Sequence, residues 1–281
     1  MTDFETLTPI NAAIDVVVGD VRILASDRDT TVVDVRPSDP ANDEDVKQAQ
    51  QTRVEYDNGR LLVKAPKLRS WLPRASGASV DVTVELPAGS NLSGAGQMTD
   101  FRIDGRLGDT RIKSGMGHLV VDETDTLSLK SGIGDIAVDR ATGHADVTTG
   151  SGDVRVRELA DTGVIKNSNG DTWVGEAAGE LRVNAANGSI AVDLAQAGVV
   201  AKSSNGDVRL GEVVRNAVVL ETALGDLEIG IRDGSAAWLD VRAGAGKVHN
   251  ALEAVGGPED AAETVEVRAR TTAGDVVIRR P

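Results

Sequence analysis

From Gly117 onward, apolar residues come in pairs one polar position apart, and the pairs return at a fixed interval. Counted from Gly117, Gly134, Gly152, Gly170, Gly188, Gly206, Gly225, Gly246 and Gly274, the intervals are 17, 18, 18, 18, 18, 19, 21 and 28 residues. Two positions after each glycine stand Leu119, Ile136, Val154, Thr172, Ile190, Val208, Leu227, Val248 and Val276. Four positions after stand Val121, Val138, Val156, Val174, Val192, Leu210, Ile229, Asn250 and Ile278. Counting back from the next glycine gives two more apolar columns, which include Leu127, Ala145, Leu181, Val199, Val218 and Val267 and, two positions later, Leu129, Val147, Val183, Leu220 and Val241. Alternation with a period of two is the signature of a strand with one buried face. Each interval therefore holds two short strands, with a third corner of small or aliphatic residues at Ala141, Leu159, Ala177, Ala195 and Val213.

A two-strand unit cannot bury its apolar face alone, but stacked units bury it against one another. The pattern predicts an all-β fold, a single-chain β-solenoid of about 18 residues per coil, over residues 93–281. The glycines at Gly134, Gly152, Gly170, Gly188, Gly206 and Gly225 are expected to be structural corners that need positive φ. Asn169, Asn187 and Asn205, each before a corner glycine, are expected to stack and hydrogen-bond along the column. An acidic insert near 251–264, "ALEAVGGPEDAAE", reads as a surface loop between the last two coils. Arg279, Arg280 and Pro281 read as protection of a terminal edge strand.

Residues 1–92 depart from the 18-residue interval but alternate in the same way, as in "AIDVVVGDVRIL" and "TTVVDVRP". "RVEYDNGRLLVKAP" reads as a hairpin with Asn58-Gly59 at a type I′ turn, and "NDEDVKQAQQ" as one or two helical turns. This part is expected to form a β-rich, sandwich-like N-terminal cap.

Composition narrows the function classes. Aromatics make up 2% of the 281 residues, so the core is aliphatic. A net charge of −14 disfavours nucleic acid and anionic surfaces at long range. There is no cysteine, hence no disulfide frame and no thiolate chemistry. No apolar run of membrane-spanning length is present, and "MTDFETLTPI" carries neither a basic stretch nor an apolar run. The expectation is a cytoplasmic protein without a membrane span.

Candidate chemistry is sparse. The residue after the corner glycine is Asp135, Asp153, Asp171, Asp207, Asp226 and Asp275, interrupted by Ser189 and Lys247. The favoured reading is that each carboxylate caps N–H groups of its own turn, with a row of Ca²⁺ ligands as the alternative. Three positions after the glycine lies an outward row in which Arg155 and Trp173 are neighbours, a candidate surface for a sugar or a partner protein. A second candidate partner surface is Trp71 with Arg69 and Arg74 in "VKAPKLRSWLPRASG", basic in an otherwise acidic chain. His118, His144 and His249 fall in different columns and imply no metal site. No nucleophile motif and no cofactor motif is present.

The units "SGIGDIAVD", "TGSGDVRVREL", "NSNGDTWVGE", "NGSIAVD" and "SSNGDVRLGEV", with "VVVGDVRI" and "VELPAGSNL" upstream, resemble the bacterial "putative adhesin" family of solenoid proteins. That resemblance implies a β-solenoid and supplies no catalytic residues. The sequence reading is thus a non-enzymatic scaffold or interaction protein with a protein partner and homo-oligomerisation through the coil ends. A carbohydrate-binding or Ca²⁺-binding solenoid is the alternative.

Overall fold

The computed structural model describes residues 1–66, 78–252 and 263–281. The chain divides into two compact units, Met1–Val138 and Asp139–Pro281. The earlier strands are β1 (Thr2–Glu5), β2 (Asn11–Ser26), β3 (Thr30–Pro37), β4 (Arg53–Asp57), β5 (Arg60–Lys64), β6 (Val80–Pro87), β7 (Asn91–Leu107), β8 (Thr110–Met116), β9 (Leu119–Thr124), β10 (Leu127–Ile133) and β11 (Ile136–Ala141). They are followed by β12 (Ala145–Ser151), β13 (Val154–Leu159), β14 (Gly163–Asn169), β15 (Thr172–Ala177), β16 (Leu181–Asn187), β17 (Ile190–Ala195), β18 (Val199–Asn205) and β19 (Val208–Val213). The last are β20 (Asn216–Leu224), β21 (Leu227–Ile231), β22 (Ser235–Ala245), β23 (Val248–Asn250), β24 (Glu263–Ala273) and β25 (Val276–Arg279). The fold is a β-solenoid preceded by a β-rich N-terminal region.

In the first unit β2 already behaves as a solenoid coil. It lies parallel to β7 from Asn11↔Asn91 to Leu24↔Asp104, and its opposite edge pairs in parallel with β5 and β6. β8 and β9 stack on β7, and β10 stacks on β8. Antiparallel pairs lie beside these coils, as β4 with β5, β3 with β6 and β1 with β3. Asn58 and Gly59 both have positive φ, +49° and +76°, as the expected type I′ hairpin requires. The helical stretch is α1 (Asp43–Gln51). Its N-cap Asn42 accepts the Glu44 N–H at 3.0 Å, and Asp43, Glu44 and Asp45 place negative charge at the positive end of the helix dipole.

In the second unit the expected columns form directly. Val156, Val174, Val192, Leu210, Ile229 and Ile278 are register neighbours on successive layers, and none is more than 1% exposed. Each buried aliphatic side chain contributes roughly 1.5–3 kcal/mol, so the cohesion of the unit resides in these vertical contacts. The third corner is equally closed, with Ala141, Leu159, Ala177, Ala195 and Val213 all at 1% exposure or less.

The corners are as predicted. Gly134, Gly152, Gly170, Gly188, Gly206 and Gly225 have φ between +129° and +148°. Stacking adds a constraint that φ alone does not convey. A Cβ on Gly170 would stand 2.7 Å from the Gly152 carbonyl carbon and closer still to its oxygen, so the next layer is seated where a side chain would be.

The order of the last coils departs from expectation. β20 pairs with β24, not β22, and β24 pairs in turn with β22. Likewise β21 pairs with β25, and β25 with β23. The final coil of the sequence is therefore inserted between its two predecessors. The C-terminal strand is an interior strand, and Arg279 and Arg280 do not guard an edge. Arg280 Nη1 instead donates to the carbonyls of Ile231, Arg232 and Ser235 at 3.2, 2.6 and 3.3 Å, which ties down the crossing from β21 to β22. The coil made of β22 and β23 is the free end. The insertion has a packing reason. Val265, Val267, Ala269, Val276 and Ile278 are aliphatic throughout and at most 1% exposed. β22 and β23 offer a poorer inner row, with Asn250 in a core column.

Candidate interaction surfaces

The Asp column has a structural task, and it differs from capping within one turn. Asp171 Oδ1 accepts the Ser189 N–H at 2.8 Å, one coil further on. Asp207 accepts the Asp226 N–H at 2.8 Å, Asp226 the Asp275 N–H at 2.7 Å, and Asp275 the Lys247 N–H at 2.7 Å. Each carboxylate thus caps the corner of the following layer, in stacking order and not chain order. Lys247 fits this scheme, because the free coil has no following corner to cap. No group of three or more His, Cys, Asp or Glu among the described residues could hold a metal ion.

Two further ladders run beside the corners. Asn187 Nδ2 donates to Asn169 Oδ1 at 3.0 Å, the amide hydrogen bond expected for this pair, and Asn205 is the register neighbour of Asn187 on the next layer. Inside the corner, Ser203 Oγ donates to the Gly188 carbonyl at 3.1 Å, Thr222 to Gly206 at 2.9 Å and Thr271 to Gly225 at 2.9 Å. Asn167 serves Gly152 in the same way at 3.0 Å. This inner polar column was missed in the sequence, although a Ser, Thr or Asn three positions before the glycine marks it. Ala185 occupies the same position without a donor.

The outward pair is placed as the spacing implies. Trp173 and Arg155 are register neighbours on β15 and β13. The Trp173 ring lies over Gly175, and its Nε1–H donates to Asp193 Oδ2 at 3.1 Å, so the indole is tethered flat and half-buried while Arg155 is exposed. On the same face Arg157 binds Asp139 through Nη2 at 2.8 Å, and this hydrogen bond holds the Asp139 carboxyl below its ordinary value. Trp71, Arg69 and Arg74 lie outside the described residues.

In the first unit a trough of about 510 Å³ is flanked by Arg60 and Arg111. Its polar floor is already bonded internally, with Asn91 Nδ2 donating to Asn11 Oδ1 at 2.9 Å and Asn91 Oδ1 accepting the Asp109 N–H at 2.8 Å. His118 Nδ1 accepts the Asp135 N–H at 3.2 Å, and His144 Nδ1 is 2.8 Å from Thr162 Oγ1. Both rings are thus engaged in inter-coil contacts. At the corner of β2, Asp20 is raised above its ordinary value by partial burial, and then by the charges of Asp81 and Asp100.

The free end is the least satisfied surface. Val248 is 46% and Trp238 59% exposed, whereas Val276, one layer inward from Val248, is fully buried. Leu239 and Val241 are only half-buried, while their register partners Val267 and Ala269 are fully buried. No strand among the described residues pairs with the outer edge of β22. No helix among the described residues is long and apolar enough to cross a membrane.

Among solved structures, the chain is similar to a "putative adhesin" from Parabacteroides merdae, at 12% identity over 100% of this chain and 95% of that one, with a TM-score of 0.44. It is also similar to a "putative adhesin" from Bacteroides fragilis, at 10% identity over 99% and 95% with a TM-score of 0.33. A "putative cell adhesion protein" from Clostridium sporogenes matches at 10% identity over 100% and 99%, with a TM-score of 0.29. No curated protein matches. The family model described as Toastrack DUF4097 matches residues 11–279, so the chain belongs to the Toastrack DUF4097 family.

Proposed function

We propose that this protein is a non-enzymatic interaction protein, a scaffold that binds protein partners, including further copies of itself, through the free end of its solenoid. The observation that carries this reading is the uncovered coil of β22 and β23. It combines an unpaired strand edge with the partly exposed apolar side chains of Leu239, Val241 and Val248, whose register partners one layer in are fully buried. Such an edge is a template for another strand. The reading is also supported by the regular use of corner carboxylates, amides and hydroxyls in ladders between coils, where they serve stacking. Sedimentation velocity of the full chain over a wide concentration range tests it. Association that Val241→Lys abolishes, with circular dichroism unchanged, is the expected result. A monomer at every concentration would refute it.

A further inference from the structure

We infer that two copies join at this end through antiparallel pairing of β22 with β22, around a two-fold axis at Val241. This rests on the end-on association proposed above and specifies its geometry. In these coils the inward residues send their N–H groups to the next layer, as Leu227 does to Asp275 and Val276 to Lys247. On the free coil the groups of Ala237, Leu239, Val241 and Ala243 therefore face outward, ready for a new strand.

The sequence of β22, SAAWLDVRAGA, is self-complementary about its centre. With Val241 opposite Val241 of the second copy, Leu239 meets Ala243 on either side of the axis, which closes the open core with a large residue against a small one, while Ala237 meets the exposed Ala245 at the margin. On the outer face Asp240 meets Arg242 and Arg242 meets Asp240, while Trp238 covers Gly244. These outer positions are the non-hydrogen-bonded pairs of an antiparallel ladder, where side chains approach most closely, and opposite charges there are stabilising. Parallel pairing in register would set Asp240 on Asp240 and Arg242 on Arg242. A two-fold contact also closes on itself, whereas a head-to-tail contact would propagate.

The chain has no cysteine of its own, so oxidative cross-linking of the full chain is a clean test. An equal mixture of Asp240→Cys and Arg242→Cys chains is expected to give a disulfide-linked heterodimer, with little product from either chain alone. Trp238→Cys mixed with Gly244→Cys provides an independent pair, should loss of a charge weaken the contact. In sedimentation, Asp240→Arg and Arg242→Asp are each expected to weaken dimerisation about tenfold, since each sets two pairs of like charges face to face, and the double exchange is expected to restore it. Asp240 also lies 3.4 Å from Arg270 in its own chain, so the cross-link is read alongside the charge exchange. A dimer that gives neither cross-link overturns the register while leaving end-on association standing. A chain that stays monomeric overturns both. A dimer formed only after residues 253–262 are replaced by a Gly-Ser linker overturns the second copy as occupant of the edge.

Discussion

Gly170→Ala tests the stacking geometry with a single added carbon atom. Gly170 has φ +129°, where an L side chain is strained by about 1–3 kcal/mol. The added Cβ would also meet Gly152 backbone atoms, the carbonyl carbon at 2.7 Å, and backbone cannot rotate away as a side-chain tip can. Relieving the clash means parting two layers by a good fraction of an ångström, comparable with overpacking a core at about 1–3 kcal/mol. Together these predict a loss of about 2–6 kcal/mol, or a melting temperature lower by roughly 4–24 °C at ~2–4 °C per kcal/mol. Gly59→Ala is the control, because φ there is +76° but no atom lies within 4 Å of the new Cβ. It should cost about 1–3 kcal/mol from strain alone. Thermal and urea unfolding followed by circular dichroism report both. Equal losses in the two variants would refute the claim that the next layer occupies the Cβ position.

Three other outcomes follow from named contacts. Ala185→Ser supplies the donor missing from the inner polar column and should raise stability by about 0.5–1 kcal/mol in urea unfolding; a loss would show that the column does not continue through this coil. Arg280→Ala removes the donor to Ile231, Arg232 and Ser235, and should cost about 1.5–3 kcal/mol while speeding amide exchange in residues 235–250 first. Asp20→Asn should raise the melting temperature at neutral pH. The Asp20 value is raised on folding, so its protonated form favours the fold below the unfolded value of 3.8 and that advantage is lost as pH rises through the folded value. Asn mimics the protonated acid, so the gain over the parent should vanish near pH 3; a gain independent of pH would exclude the charge of Asp20 as its cause.

The coil architecture was legible because burial on one face forces a period of two within strands, and stacking forces a period of about 18 between them. The columns through Val156 and Val174, the glycine corners, the Asn169–Asn187 contact and the Asn58-Gly59 hairpin all follow from that. Layer order was not legible in the same way, since the period says which residues face inward but not which coil lies next. Two residues did carry the information. Asn250 stands in a core column, tolerable only where no layer covers it, and Lys247 replaces the Asp that elsewhere caps a following corner. Ser189 breaks the same column inside the stack, so Lys247 points to the end only together with Asn250. The direction of Asp capping was missed for a related reason, because periodicity places a side chain at a corner without saying which layer its oxygen reaches. Of the candidate partner residues, Trp173 and Arg155 are neighbours as their spacing implies. The Asp193 tether on Trp173 comes from a position twenty residues away that the outward row does not include.

The placement of residues 235–250 at the free end is tested most directly by disulfide trapping across layers. Glu221 and Arg270 are register neighbours on β20 and β24, and Arg270 and Arg242 are neighbours on the next pair of layers. Strand spacing of about 4.8 Å is within reach of a disulfide, whereas twice that is not. Inserted stacking predicts that Glu221→Cys/Arg270→Cys oxidises to an intramolecular bridge and Glu221→Cys/Arg242→Cys does not. The reverse result, a bridge between positions 221 and 242 alone, would mean that the coils stack in chain order and that the free end lies at the C-terminal strand.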